Sequence, residues 1–136
     1  MTVFKYLLLA SGFALSCSAL AQGSDIPALT KSLKVWQPTE IAIKNNVTTI
    51  TFPGNALTSE AYETIITNGI CMPIWTKSTP KNFLSNIKEM NLVNQYKAAG
   101  FIFENPAQTC EEMGKLMDQP AKTLLASKTR VYMPAK

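Results

Sequence analysis

The chain is 136 residues long and carries a formal charge of +4, with thirteen basic and nine acidic residues and no histidine. The missing histidine excludes Ser-His-Asp and Cys-His nucleophiles, a histidine general base, a histidine-ligated haem and nearly every catalytic zinc site. No two basic residues are adjacent, so the charge is too scattered for a nucleic-acid partner.

Met1 to Ala21 reads as a targeting segment. Lys5 gives a short positive start, and Tyr6 to Leu15 is an apolar run too short to span a bilayer. Ala19-Leu20-Ala21 is a small-x-small cleavage pattern, which places the mature start at Gln22 and leaves no transmembrane anchor. A lipoprotein alternative would acylate Cys17 after Ala14-Leu15-Ser16, without the leucine usual three residues before the cysteine. Export removes Lys5 and Cys17, taking the charge to +3 and leaving residues 22–136 as one domain. Two cysteines in an exported chain pair, so a Cys71–Cys110 disulfide is expected. Closing a loop of about 40 residues contributes roughly 4 kcal/mol in the chain-entropy picture.

Asp25 is placed to cap a helix over Ile26 to Leu33, with Pro27 near its first position and Ile26, Leu29 and Leu33 on one side. Gln37-Pro38 breaks the pattern after Trp36. Glu40 to Lys44 and Val47 to Phe52 then form a hairpin about Asn45-Asn46, since asparagine tolerates positive φ. Pairing Lys44 with Val47 sets Ile41 against Ile50 and Ile43 against Thr48, so both strands present one apolar face. Asn46-Val47-Thr48 is also a glycosylation sequon, but its asparagine is accounted for by the turn.

Pro53-Gly54-Asn55 is turn chemistry, and Thr58 is a helix cap followed by Glu60 at the positive end of the dipole. Leu57 and Tyr62 are spaced as a hydrophobic staple. Over Thr58 to Asn68, Ala61, Tyr62, Ile65 and Ile66 share one side, and Glu60, Glu63, Thr64 and Thr67 the other. Gly69 is expected to stop this helix, with Ile70 to Trp75 following as an apolar segment that carries Cys71. Lys77 to Pro80 is a loop, and Asn82 to Met90 has helical spacing with Phe83, Leu84, Ile87 and Met90 on one face. Leu92-Val93 and Gly100 to Glu104 are expected to pair as strands.

Asn105-Pro106-Ala107-Gln108 carries the marks of a helix start. Its inward face holds Ala107, Cys110, Met113, Gly114 and Met117, which aims Cys110 at Cys71. Asp118 to Pro120 is a break, Leu124 to Ala126 a short apolar piece, and Thr129 to Met133 a final strand.

Little in this pattern points to catalysis. C-x-x-C, Gly-rich phosphate loops and EF-hands are missing. Ser78-Thr-Pro-Lys81 and Ser85-Asn-Ile-Lys88 match Ser-x-x-Lys, but the Ser-Asp-Asn and Lys-Thr-Gly companions are missing, and Ser85 and Lys88 fall on a polar side. Glu111 and Glu112 splay apart on a helix, and Glu60 and Glu63 lie on an outer face, so no carboxylate pair is set for acid catalysis.

The expectation is an α+β domain: an antiparallel sheet of four or five strands packed by three or four helices largely on one face, with one disulfide. No catalytic residue, metal or cofactor is assigned. The function expected is that of a periplasmic or secreted non-enzymatic module that binds a protein of the envelope or exterior, as an inhibitor or immunity-type factor. The candidate surface is Trp36, Trp75, Lys77 and Lys81. The alternatives are a binder of a small ligand or cell-wall fragment, and a small carboxylate-dependent hydrolase.

Overall fold

A computed structural model describes residues 25–134. The expected signal segment, its cleavage point and Cys17 lie outside the described residues. Five strands form one sheet in chain order: β1 (Glu40–Lys44), β2 (Val47–Thr51), β3 (Glu89–Val93), β4 (Gly100–Glu104) and β5 (Thr129–Tyr132). The hairpin register is the one its apolar face demands, with Ile41 opposite Ile50 and Lys44 opposite Val47. Asn45 and Asn46 take φ of 52° and 64°, the left-handed pair that a two-residue turn requires. The α+β architecture is as expected, but the sheet is mixed, because β3 runs parallel to β2. A parallel pair needs a long crossover, and the chain between Phe52 and Lys88 supplies it.

The helices are α1 (Asp25–Ser32), α2 (Ser59–Thr64), α3 (Met72–Trp75), α4 (Pro106–Gly114) and α5 (Gln119–Ser127). A π-helical segment, Ile65–Cys71, joins α2 to α3, so these three pieces make one continuous rod and four helical bodies pack together. Thr58 Oγ1 accepts from the Ala61 N–H at 3.1 Å, which is the expected cap.

Gly69 does not stop the rod. It is buried, and a Cβ built on it would stand 2.7 Å from Leu33 Cδ2 and 2.8 Å from the Trp36 ring. Its missing side chain lets the rod press against Leu33 and the 3₁₀ turn Lys34–Trp36.

A second correction concerns Asn82 to Met90. The segment forms tight turns and not a helix, with Leu84 at φ 61°. Phe83, Leu84 and Ile87 are buried as their spacing implied, but Pro80, Asn82 and Leu84 carbonyls each accept from the third residue on. Glu89 and Met90 belong to β3. At α4, Asn105 has φ 46° and its side chain makes no cap bond. The Thr109 hydroxyl instead donates to the Glu104 carbonyl at 2.9 Å. Cys110 and Met113 are buried, whereas Met117 is 81% exposed because the helix ends before it. The short apolar piece around Leu124 extends to the nine-residue α5.

One hydrophobic core lies between the sheet and the helices. Ile50, Met90, Leu92 and Phe103 supply it from the strands, and Leu29, Leu33, Tyr62, Ile66 and Ile70 from the helices. Alternate strand residues point away from it. There Arg130 on β5 bonds both Glu89 and Glu104, and Lys97 meets Glu40 at 2.8 Å.

Candidate functional site

Cys71, the last residue of the π segment, is disulfide-bonded to Cys110 of α4, with Cα atoms 5.0 Å apart and both residues fully buried. One turn further along the rod, Trp75 Nε1 donates to the Cys110 carbonyl oxygen at 2.7 Å. The indole lies against Gly114, where an added Cβ would come within 2.6 Å of Nε1 and 2.9 Å of Cδ1. Covalent bond, hydrogen bond and close packing thus fix the Trp75 end of the rod to α4.

Beside this junction is a solvent-open groove of about 660 Å³. One wall is the polar side of the rod, with Glu60, Glu63, Thr64 and Thr67. Trp75, Met113 and Leu125 give an apolar floor, and Leu116, Asp118 and Lys122 stand on the far wall. Asp118 has φ 52° and ψ −118°, a conformation that costs an ordinary residue of the order of 1–3 kcal/mol. It leads into α5 without a side-chain cap bond. The Thr64 hydroxyl is committed to the Glu60 carbonyl at 3.0 Å, so the groove wall offers no free nucleophile at that position.

The four candidate surface residues do not form one surface. Trp75 lines the groove. Trp36 is a half-buried plug over Gly69 and Leu33. Lys77 is exposed in the turn after α3, at φ 55°. Lys81 borders a different cleft of about 380 Å³, near Phe83, Asn105 and Glu111. Ser85 and Lys88 are both exposed and share no helix. Glu111 lies 4.0 Å from Lys115, and Gln108 donates to Glu112 at 3.3 Å.

Sequence reasoning placed Glu60 and Glu63 on an outer face and gave Asp118 and Lys122 no role. The polar stripe Glu60, Glu63, Thr64 and Thr67 was visible. Nothing local to that stripe shows that α5 stands opposite it. Among the described residues, no three cysteine or carboxylate side chains gather as a metal-donor set, and no helix is long and apolar enough to cross a membrane.

No family model matches this chain, and neither a curated protein nor a solved structure does.

Proposed function

We propose that the chain is an exported, non-enzymatic protein-binding module of the inhibitor or immunity type, and that its partner enters the groove beside Trp75. The observation that carries this reading is the groove itself: an open apolar floor beside a junction where the rod is locked to α4 by a disulfide and by the Trp75–Cys110 hydrogen bond. A locked junction lowers the ordering cost of association. Exposed Leu116 and half-buried Trp75, both lining the groove, give the aliphatic and aromatic anchors on which interfaces concentrate their energy. Export is supported by the charged, apolar and small-residue pattern of residues 1–21.

The test is capture from envelope and secreted fractions by the exported, oxidised chain, quantified by mass spectrometry beside a Leu116→Asp variant. One stoichiometric protein held by the parent and lost by the variant supports the reading. Equal capture by both removes the groove from it. A second reading, a binder of a small ligand or cell-wall fragment, is favoured by the groove volume, which falls within the roughly 300–1,000 Å³ of small-molecule sites. It requires a saturable change in tryptophan emission with glycan or peptide fragments and no protein partner.

A further inference from the structure

We infer that the groove takes a cationic, amphipathic stretch of the partner protein, with lysine or arginine flanking an apolar side chain. This rests on the protein-binding reading above. The carboxylates of the chain divide into two groups. Asp25 accepts from the Leu84 N–H; Glu40 meets Lys97; Glu89 and Glu104 meet Arg130; Glu111 lies beside Lys115; and Glu112 accepts from Gln108. That leaves Glu60, Glu63 and Asp118 as the acidic side chains without a hydrogen bond or ion pair among the described residues, and all three line the groove. Lys122, the groove's one cation, bonds none of them.

A basic protein of charge +4 therefore carries its unpaired acids at one apolar cleft. Such a cleft attracts positive charge and repels negative charge, which is how interfaces select partners and orient their approach. Trp75 supplies an aromatic surface suited to a guanidinium or ammonium as well as to an aliphatic chain. Leu116 and Met113 then receive the apolar side chain between the charges. A bare polycation satisfies the rim and leaves this floor uncovered.

The test uses the full chain, exported and oxidised, in isothermal titration, paralleled by emission from a Trp36→Phe variant in which Trp75 is the sole tryptophan. The probes are a short peptide of alternating leucine and arginine pairs, its glutamate-for-arginine counterpart, and spermine. The expected result is saturable binding of the arginine peptide that weakens with salt, no binding of the glutamate peptide, and weak or no binding of spermine. Glu60→Lys with Glu63→Lys, both at exposed positions, should weaken arginine-peptide binding by roughly tenfold or more. Equal affinity for the glutamate peptide, equal affinity for spermine, or indifference to the double reversal overturns the inference. A natural partner lost by Leu116→Asp but retained by the double reversal would overturn the charge preference and leave the protein-binding reading standing. A partner retained by both variants would overturn both.

Discussion

The Trp75 indole N–H donates to the carbonyl of Cys110, 35 residues away, and its ring rests on Gly114. A single aromatic side chain therefore meets both the carbonyl of a disulfide cysteine and the last residue of the helix which that cysteine occupies. The contact is close enough that Gly114 is required for packing, independent of any backbone freedom.

Gly114→Ala should therefore act on Trp75. The new methyl group falls within 3 Å of two indole atoms, and the rigid ring must move as a unit. Overpacking of this kind costs about 1–3 kcal/mol. The expected outcome is a lower urea midpoint with unchanged slope, together with an altered tryptophan emission. An alanine variant with the parent's midpoint and spectrum would show that the ring does not lie on this glycine.

The disulfide gives a larger effect. Cys71→Ser or Cys110→Ser should cost roughly 2–5 kcal/mol, because each removes the cross-link and buries a hydroxyl where both sulfurs are fully enclosed. Non-reducing peptide mapping should recover residues 71 and 110 in one linked fragment. Separate fragments carrying free thiols would remove the cross-link from the account.

Elements set by neighbours a few residues apart were legible. The β1–β2 register follows from alternation and two asparagines, the Thr58 cap from one hydroxyl, and the β3–β4 pairing from a short connection. Cys110 was aimed correctly because helical spacing turns it inward with Met113. What failed depended on distant partners. Gly69 has the composition of a helix stop, but Leu33 and Trp36 across the core decide its role. The spacing of Phe83, Leu84 and Ile87 does mark buried residues, yet three consecutive turns present the same residues to the core as a helix would. Strand order could not be read because β2 and β3 are joined through the whole helical rod. The groove was half visible for the same reason: its rod-side wall is a local stripe, and its far wall arrives through α4 and α5.

Tyr62 provides a test at high pH. Its hydroxyl lies 2.8 Å from Thr129 Oγ1, whose own proton goes to the Leu125 carbonyl at 2.7 Å. Tyr62 is therefore the donor, and ionisation would break this link between α2 and β5. Burial pushes its pKa from 10.0 up to about 12. A raised value favours the protonated form in the fold, so this stabilisation is present below pH 10 and disappears as pH climbs through 12. Two pH units correspond to about 3 kcal/mol. Tyr62→Phe should lose about 1 kcal/mol at neutral pH for the missing hydrogen bond, while becoming less sensitive than the parent between pH 10 and 12. Parallel urea midpoints across that interval would refute the burial-raised pKa.

Asp25 and Leu84 form a second long-range link. Asp25 Oδ1 accepts from the Leu84 N–H at 3.3 Å, and Leu84 is fully buried at a positive φ. An aspartate expected to cap its own helix instead anchors the turn that replaces a second predicted helix. Burial raises the Asp25 pKa above its ordinary 3.8, with the Leu84 hydrogen bond opposing the rise. The folded state thus holds its proton at higher pH than the unfolded chain does, and this group's contribution to stability falls as pH rises from 3.8 through the raised value. Asp25→Asn keeps an oxygen acceptor and removes the ionisation. Its stability relative to the parent should increase over that interval and then level off. Asp25→Ala removes the acceptor as well, leaving a buried N–H unsatisfied at a cost of roughly 1–3 kcal/mol. Urea midpoints of all three proteins from pH 3 to pH 7 separate the effects: asparagine near or above the parent at pH 7, alanine below it throughout. If alanine matched asparagine across the series, the Leu84 N–H would not depend on Asp25, and the positive φ of Leu84 would need another restraint.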